Sequence, residues 1–433
     1  MKKLTILVGI LSLSAALHAQ QGLTLQDAVD IALKNSLGIQ IARSSVQVAG
    51  INNSYGIAGG LPLVSATASD NEQLTSIKQV YANPANNKSS NNASSNNLTA
   101  GLNASVLVFN ADRVSNAKKR LGTIETQTNQ QLSSRALGIV YNVMLKYFDI
   151  VRQQSYANTL EISIEVSRKK LEIVQKQQSL GLANNADLFQ SQVDLNTQIQ
   201  NLQAQQLVVD QGKTDLLTLL TLRPDSTLSL TDSITIDKNI RLDSILTGVT
   251  QNPDIQAANL QISINQFIQK EIGALRYPAL SLGAGYNFSR TQNAAGFSLL
   301  NQNYGPFAGV NLAIPIFNGN IYKKQQEIAG INIRMANLQK DTLVLNYTAN
   351  AVKSFQAYNN NLQQLETAKQ NYELSQKLLD LVTQRFQLRQ ATIVDVKNAQ
   401  QSFENAGYLL VNISYAAKAA EIQLKRYANR LKY

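Results

Sequence analysis

The side chains that carry covalent chemistry are nearly missing from this sequence. Its 433 residues contain no cysteine and one histidine, His18. Nucleophile and base pairs, thiolate redox centres and imidazole or thiolate metal sites therefore have no raw material. Neither a glycine-rich phosphate loop nor an acidic pair gathered by periodicity stands in for them. No catalytic residue, metal site or cofactor is expected, and the chain does not read as an enzyme. What remains is electrostatics at two turns. Asp187 closes the run GLANNAD (181–187) and Asp395 lies in RFQLRQATIVDVKNA (385–399), each at the first turn of a helix. An acid there sits near the positive end of the helix dipole, which is the simplest account of both.

The elements that position these turns are long. From Asn110 to about residue 180 there is no proline and only isolated glycine, enough for a helix of roughly 105 Å. Such a helix cannot fold back on a small core and must run along others like it. The second long helix carries Leu345, Val352, Phe355, Leu362, Leu365, Tyr372, Leu379, Val382 and Phe386 at spacings of three, four and seven, a coiled-coil-like stripe. Between them lie Gln, Asn, Ser, Thr and Ala, too polar for a dry interior on every side. A wall of helices with one face on a watery lumen accounts for both features, and a solvent-exposed coiled coil accounts for them equally well.

The pattern is written twice. In LTLQDAVDIALKNSLGIQIA (23–42), Thr24 and Asp27 form a capping box, and Leu25, Ala28, Val29, Ala32 and Asn35 are answered in LDSILTGVTQNPDIQAANLQI (242–262) by Leu242, Ile245, Leu246, Val249 and Asn252. Phe109 is answered by Phe317 and Asp187 by Asp395, both 208 positions on. Matched offsets across a whole long helix indicate internal duplication. The expected order is a signal peptide over 1–19 and a first repeat over 20–222, with strands about 63–72 and 98–109, a long helix about 110–180 and a return helix about 184–222. A connecting segment covers 223–240. The second repeat, 241–433, has strands about 279–290 and 304–317, a long helix about 318–388 and a return helix about 392–431.

The strands are the most specific signal. Leu280, Leu282, Ala284, Tyr286 and Phe288 alternate with Ser281, Gly283, Gly285 and Asn287. Ala308, Val310, Leu312, Ile314 and Ile316 alternate with Gly309, Asn311 and Ala313. Val64, Ala66 and Ala68, and then Leu98 to Val108, repeat the pattern in the first half. Period two with one oily face and one small polar face, over about 9 to 11 residues, is the transmembrane barrel pattern. Pro278 and Pro306 are expected at strand starts. YANPANNKSSNNASSNN (81–97) reads as a loop too polar to pack.

Composition sets the surroundings. Only 15% of residues are charged against 44% hydrophobic, and the shortfall is filled by uncharged polar residues, as on wetted surfaces. Lys2 and Lys3, the apolar run 4–17 and Ala19 read as a secretory signal, whose removal lowers the formal charge from +11 to +9 and takes His18 with it. The remaining basic charges are scattered and the chain is expected to be exported, so nucleic acid is not an expected partner. No later run of about 18 apolar residues exists, so no membrane-spanning helix is expected. Four strands cannot close a membrane barrel, and lipid does not tolerate open edges. Copies of the chain must share the sheet.

In this order the motifs LTLQDAVDIALKNS (23–36), IPIFNGN (314–320), GLANNAD and RFQLRQATIVDVKNA resemble the signature segments of the TolC-like outer-membrane efflux proteins, over essentially the whole mature length. The resemblance implies a mainly α fold with membrane β. It implies a homotrimer whose pooled strands make one 12-stranded barrel in outer-membrane lipid, continued by an α-helical barrel in the periplasm. It implies a passive exit duct of tripartite efflux or type I secretion, docked by a periplasmic adaptor and an inner-membrane transporter. By position, Asp395 takes the place of a pore-narrowing tip carboxylate and Asp187 that of an acid in the network holding the tip shut. Gly181, Leu182, Leu388 and Arg389 fall on the turns that adaptors grip. Asn398 stands where some members have a second ring Asp, Phe386 where they have Tyr, and Ala391 where they have Arg. A lock built on those polar links is thus not carried over. The other reading of the helices, a periplasmic structural or adaptor coiled coil without a pore, leaves the four alternating strands without a role.

Overall fold

The computed structural model describes residues 22–296 and 298–431, and the signal peptide expected at 1–19 lies outside them. Among the described residues the order is α1 (Leu25–Asn35), α2 (Leu37–Asn52), β1 (Leu63–Gln79), β2 (Lys88–Phe109), α3 (Arg113–Ser179), α4 (Asn185–Leu219), α5 (Leu242–Val249), α6 (Pro253–Ala274), β3 (Ala279–Asn293), β4 (Leu300–Ala313), α7 (Ile321–Gln387) and α8 (Ile393–Tyr427). A single 3-10 turn, Pro84–Asn86, joins β1 to β2. None of the described helices is long and apolar enough to cross a membrane. Two compact units divide the chain, and several helices contribute to both.

One unit comprises residues 45–129 and 258–339. Its strands form a single antiparallel sheet in the order β1-β2-β3-β4. Register places Val64, Ala104, Ala284 and Ala308 in one row, Ala66, Leu102, Tyr286 and Pro306 in the next, and Ala68, Ala100, Phe288 and Tyr304 in a third. Leu282 with Val310 and Leu280 with Leu312 extend the apolar face in the other direction. From Leu280 to Phe288 this band runs about 27 Å along the strand. Beyond its aromatic end the same face turns polar, through Asp70, Arg290 and Gln302 and then Glu72, Asn96 and Gln292. The opposite face carries Ser65, Thr67, Ser69, Thr99, Gly101, Asn103, Asn287 and Ser289. Leu63, Leu107 and Phe307 also lie on it, the Phe307 ring so close to Gly285 that a Cβ there would come within 2.7 Å of it.

Helix order repeats strand order. Asn53, just after α2, donates to Glu125 of α3 at 2.6 Å, Arg120 of α3 pairs with Glu271 of α6 at 2.6 Å, and Arg276 after α6 donates to Gln326 of α7 at 3.3 Å. The outermost helices keep large apolar residues in the open, Val48 and Ile51 on α2 and Ile321, Ile328, Ile331 and Met335 on α7.

The strands differ from expectation in three places. β1 runs on to Gln79, and the polar segment expected as a loop supplies the first half of β2, with Ser89 to Asn97 paired against Asn71 to Lys78. Backbone ladders need no apolar side chains where both faces meet water. β4 begins at Leu300 and stops at Ala313, so Ile314, Ile316 and Phe317 lie outside the ladder, because Pro315 has no N–H to continue it. Pro306, expected at a strand start, sits inside β4, where an edge strand tolerates it.

Among the described residues, the other unit holds 22–44, 130–257 and 340–431. The Thr24 and Asp27 capping box is present, and α1 ends at Asn35 with Ser36 as its cap before α2 begins. Ala28, Val29 and Ala32 of α1 pack on Val140, Val143, Tyr147 and Ile150 of α3, Leu216 of α4 and Ile422 of α8. A second cluster gathers Ile245 and Val249 of α5, Ile255 of α6, Ala351 and Tyr358 of α7 and Leu424 of α8. The segment between α4 and α5 is irregular, tied in by Tyr147, whose hydroxyl donates to Asp232 at 2.9 Å, and by the Leu25 N–H, which donates to the same carboxylate at 2.8 Å.

Candidate functional site

The two turns singled out by the sequence end two helical hairpins of equal dimensions. α3 and α7 each have 67 residues and α4 and α8 each have 35, and every one of their boundaries recurs after 208 positions. Backbone at both turns passes through the left-handed region, at Gly181 (φ 69°) and at Arg389 (φ 63°). At the first, the Leu182 N–H reaches back to the Gln177 carbonyl at 2.8 Å. At the second, the Gln390 N–H reaches the Arg385 carbonyl at 2.8 Å. These bonds satisfy carbonyls that the helix ends would leave open.

Each return helix then starts from a polar cap. Asn184 accepts from the Asp187 N–H at 2.8 Å. Thr392 accepts from the Asp395 N–H at 3.2 Å, and the Asp395 carboxylate accepts in return from the Thr392 N–H at 2.7 Å and its hydroxyl at 2.8 Å. Those hydrogen bonds, backbone first and then side chain, hold the Asp395 carboxyl below its ordinary value, with the Arg385 charge adding to them. The sequence placed both acids at helix N-termini, and there they lie. Asp187 is half-buried, whereas Asp395 and Asn398 are exposed.

Leu182 and Leu388 present their side chains to solvent beside exposed Gly181 and Arg389. Phe386 is different. It is 6% exposed and packs with Val174 of α3 and Val396 of α8 in the cluster that joins the two hairpins at their turns. It fills the interior of this end, continuing the seven-residue series Ala351, Tyr358, Leu365, Tyr372 and Leu379 along α7.

Sequence reasoning missed a charged group two turns further along. Lys170 of α3 is buried with its Nζ 2.6 Å from Asp194 of α4, and Lys397 of α8 reaches the same carboxylate at 3.3 Å. Burial acts to raise the Asp194 carboxyl, but hydrogen bonds from Lys170, Gln190 and Lys397 outweigh it and hold the group below its ordinary value. The available signal was a lysine at a stripe position of α3. No group of three His, Cys, Asp or Glu side chains that could hold a metal occurs among the described residues.

Residues 249–430 match the family model described as Outer membrane efflux protein. The chain is 23% identical over 401 residues to Toxin and drug export protein A of Aggregatibacter actinomycetemcomitans, covering 84% of each. It is 22% identical over 311 residues to Outer membrane protein TolC of Escherichia coli K12, covering 69% of this chain and 62% of that one. Its fold is that of the outer membrane protein VceC of Vibrio cholerae (TM-score 0.75, 19% identity, 93% and 95% covered). It equally matches the CmeC outer membrane channel of Campylobacter jejuni (TM-score 0.75, 17% identity, 94% and 87% covered).

Proposed function

We propose that this chain, which matches the outer membrane efflux protein model over residues 249–430 and is similar to TolC, is the outer-membrane exit duct of a tripartite efflux or type I secretion system. It lies in the outer membrane with its helical part in the periplasm. The observation that carries the proposal is the sheet. One face is an apolar band with Tyr286, Phe288 and Tyr304 at one end, the other is uncharged and mostly small, and β1 and β4 both have a free edge. Lipid tolerates no such edge, so neighbouring copies must supply the missing partners, and three copies give a 12-stranded barrel. The open apolar residues of α2 and α7, the outermost helices, support closure in the same ring.

Equal helix lengths and recurring left-handed positions, Ala111 with Gly319, Asp112 with Asn320, Gly181 with Arg389 and Thr221 with Asn429, support an origin by internal duplication. In this reading the turns are the periplasmic tip. Asp395, Asn398 and Asp187 face or brace the constriction, and Gly181, Leu182, Leu388 and Arg389 meet the adaptor. Phe386 acts from inside the tip. The duct moves solutes passively, and an inner-membrane transporter supplies the energy.

Light scattering of detergent-purified protein, corrected for bound detergent, should give three copies of the mature chain, and planar bilayers should show a pore. A detergent-independent monomer without conductance would overturn the reading.

A further inference from the structure

The stripe with which α3 packs is apolar at Val140, Val143, Tyr147, Ile150, Ala157 and Leu160, and again at Val174, yet between these Ser163, Ser167 and Lys170 are all buried. Their partners are polar too. Ser163 donates to Glu404 of α8 at 2.5 Å, and Gln400 of α8 donates to Ser167 at 2.9 Å. Behind the apolar tip cluster, then, the two hairpins meet through these polar contacts beside a second apolar cluster, in which Val166 of α3 packs with Leu379 of α7 and Ala399 and Phe403 of α8. Charge enters this contact at Asp194. Among the described residues, Asp194 with Lys397 is the one ion pair that joins the α3 and α4 hairpin to the α7 and α8 hairpin.

The two lysines hold that carboxylate on unequal terms. The Lys170 side chain is 1% exposed and Asp194 13% exposed, so separating them would leave a buried ammonium without its counter-charge. Lys397 is 46% exposed and can exchange its partner for water. We propose that Asp194, fixed in place by Lys170, is a releasable clasp that fastens α8 to the α3 and α4 hairpin through Lys397. Opening of the tip proceeds by letting Lys397 go while Lys170 and Asp194 stay together. The proposal rests on the duct reading above, and it names a positioning group that the tip carboxylates do not include.

Lys397 is the position to vary, because a half-exposed lysine can change without exposing the buried pair. The chain has no cysteine, so Gln192→Cys on α4 and Gln401→Cys on α8 accept spin labels cleanly. Electron paramagnetic resonance on the full-length protein then reads the gap between the hairpins. The otherwise unaltered protein and Lys397→Arg should give one narrow distance, and Lys397→Glu a longer and broader one. In planar bilayers Lys397→Glu should raise the ratio of open to closed states by roughly fivefold, the equivalent of one exposed ion pair. An unchanged distance distribution in Lys397→Glu overturns the clasp. If the wild-type protein conducts nothing, the duct reading falls instead, and the distances still decide whether Lys397 fastens the hairpins.

Discussion

Asp187 and Asp395 occupy corresponding turns but are held differently, and the difference predicts how the tip responds to acid. Asp395 is locked in a reciprocal cap with Thr392, whereas the Asp187 N–H donates to the Asn184 side chain in a one-way cap. Because the folded carboxyl of Asp395 lies below its unfolded value, the stabilisation it lends is fully present above the ordinary value of 3.8 and is lost as pH falls through the folded one. Its negative charge at the proposed pore should therefore persist at neutral pH. Block of the bilayer current by a trivalent cation should weaken in Asp395→Ala at pH 7, and in the wild type should fade only below the ordinary carboxylate value. Unchanged block would remove Asp395 from the constriction. Phe386 behaves as a core residue: Phe386→Ala should lower unfolding stability by about 3 to 5 kcal/mol in urea titration, through lost burial and the cavity left behind. The sequence contained both readings of Phe386, a place in a stripe and a place by analogy in a lock. The stripe decides where the ring goes, since a seven-residue repeat fixes the face of a helix whatever the position means in relatives.

Element boundaries were legible where one force set them. The long helices end within a few residues of expectation because both turns carry a capping side chain, Asn184 and Thr392, and GLANNAD adds a glycine at its left-handed position. The strands were harder. Alternation marked only the rows with an apolar face, while β1 and β2 continue for a further stretch as a polar hairpin held by its ladder. Arg389 was also opaque, because nothing in its type announces the conformation that Gly181 makes evident. That mismatch is testable at the level of the turn. Gly181→Ala should cost about 1 kcal/mol, and Arg389→Gly, which relieves a side chain in the left-handed region, should leave stability equal or higher by a similar amount. Urea midpoints measured on the two variants check both signs. A loss on Arg389→Gly would mean that its side chain contributes a contact outweighing the backbone strain.

At the scale of the whole molecule, the proposed barrel assigns neighbouring residues of one strand to different solvents. Val310 lies in the apolar band opposite Leu282, while Asn311, the next residue, faces the other way opposite Ser281. A single-chain view treats them alike, since both are exposed, and only closure of the sheet by further copies separates lipid from lumen. An arginine at a lipid-facing position near the bilayer midplane costs about 2 to 4 kcal/mol, whereas one in the lumen costs little and alters the field through which ions pass. Val310→Arg should therefore deplete the heat-modifiable oligomer from the outer-membrane fraction on gel electrophoresis. Asn311→Arg should assemble at wild-type levels and shift the ion preference of the reconstituted pore toward anions. Equal assembly of the two variants would show that no lipid meets the Val310 face, and the open edges of β1 and β4 would then need an occupant other than another copy of this chain.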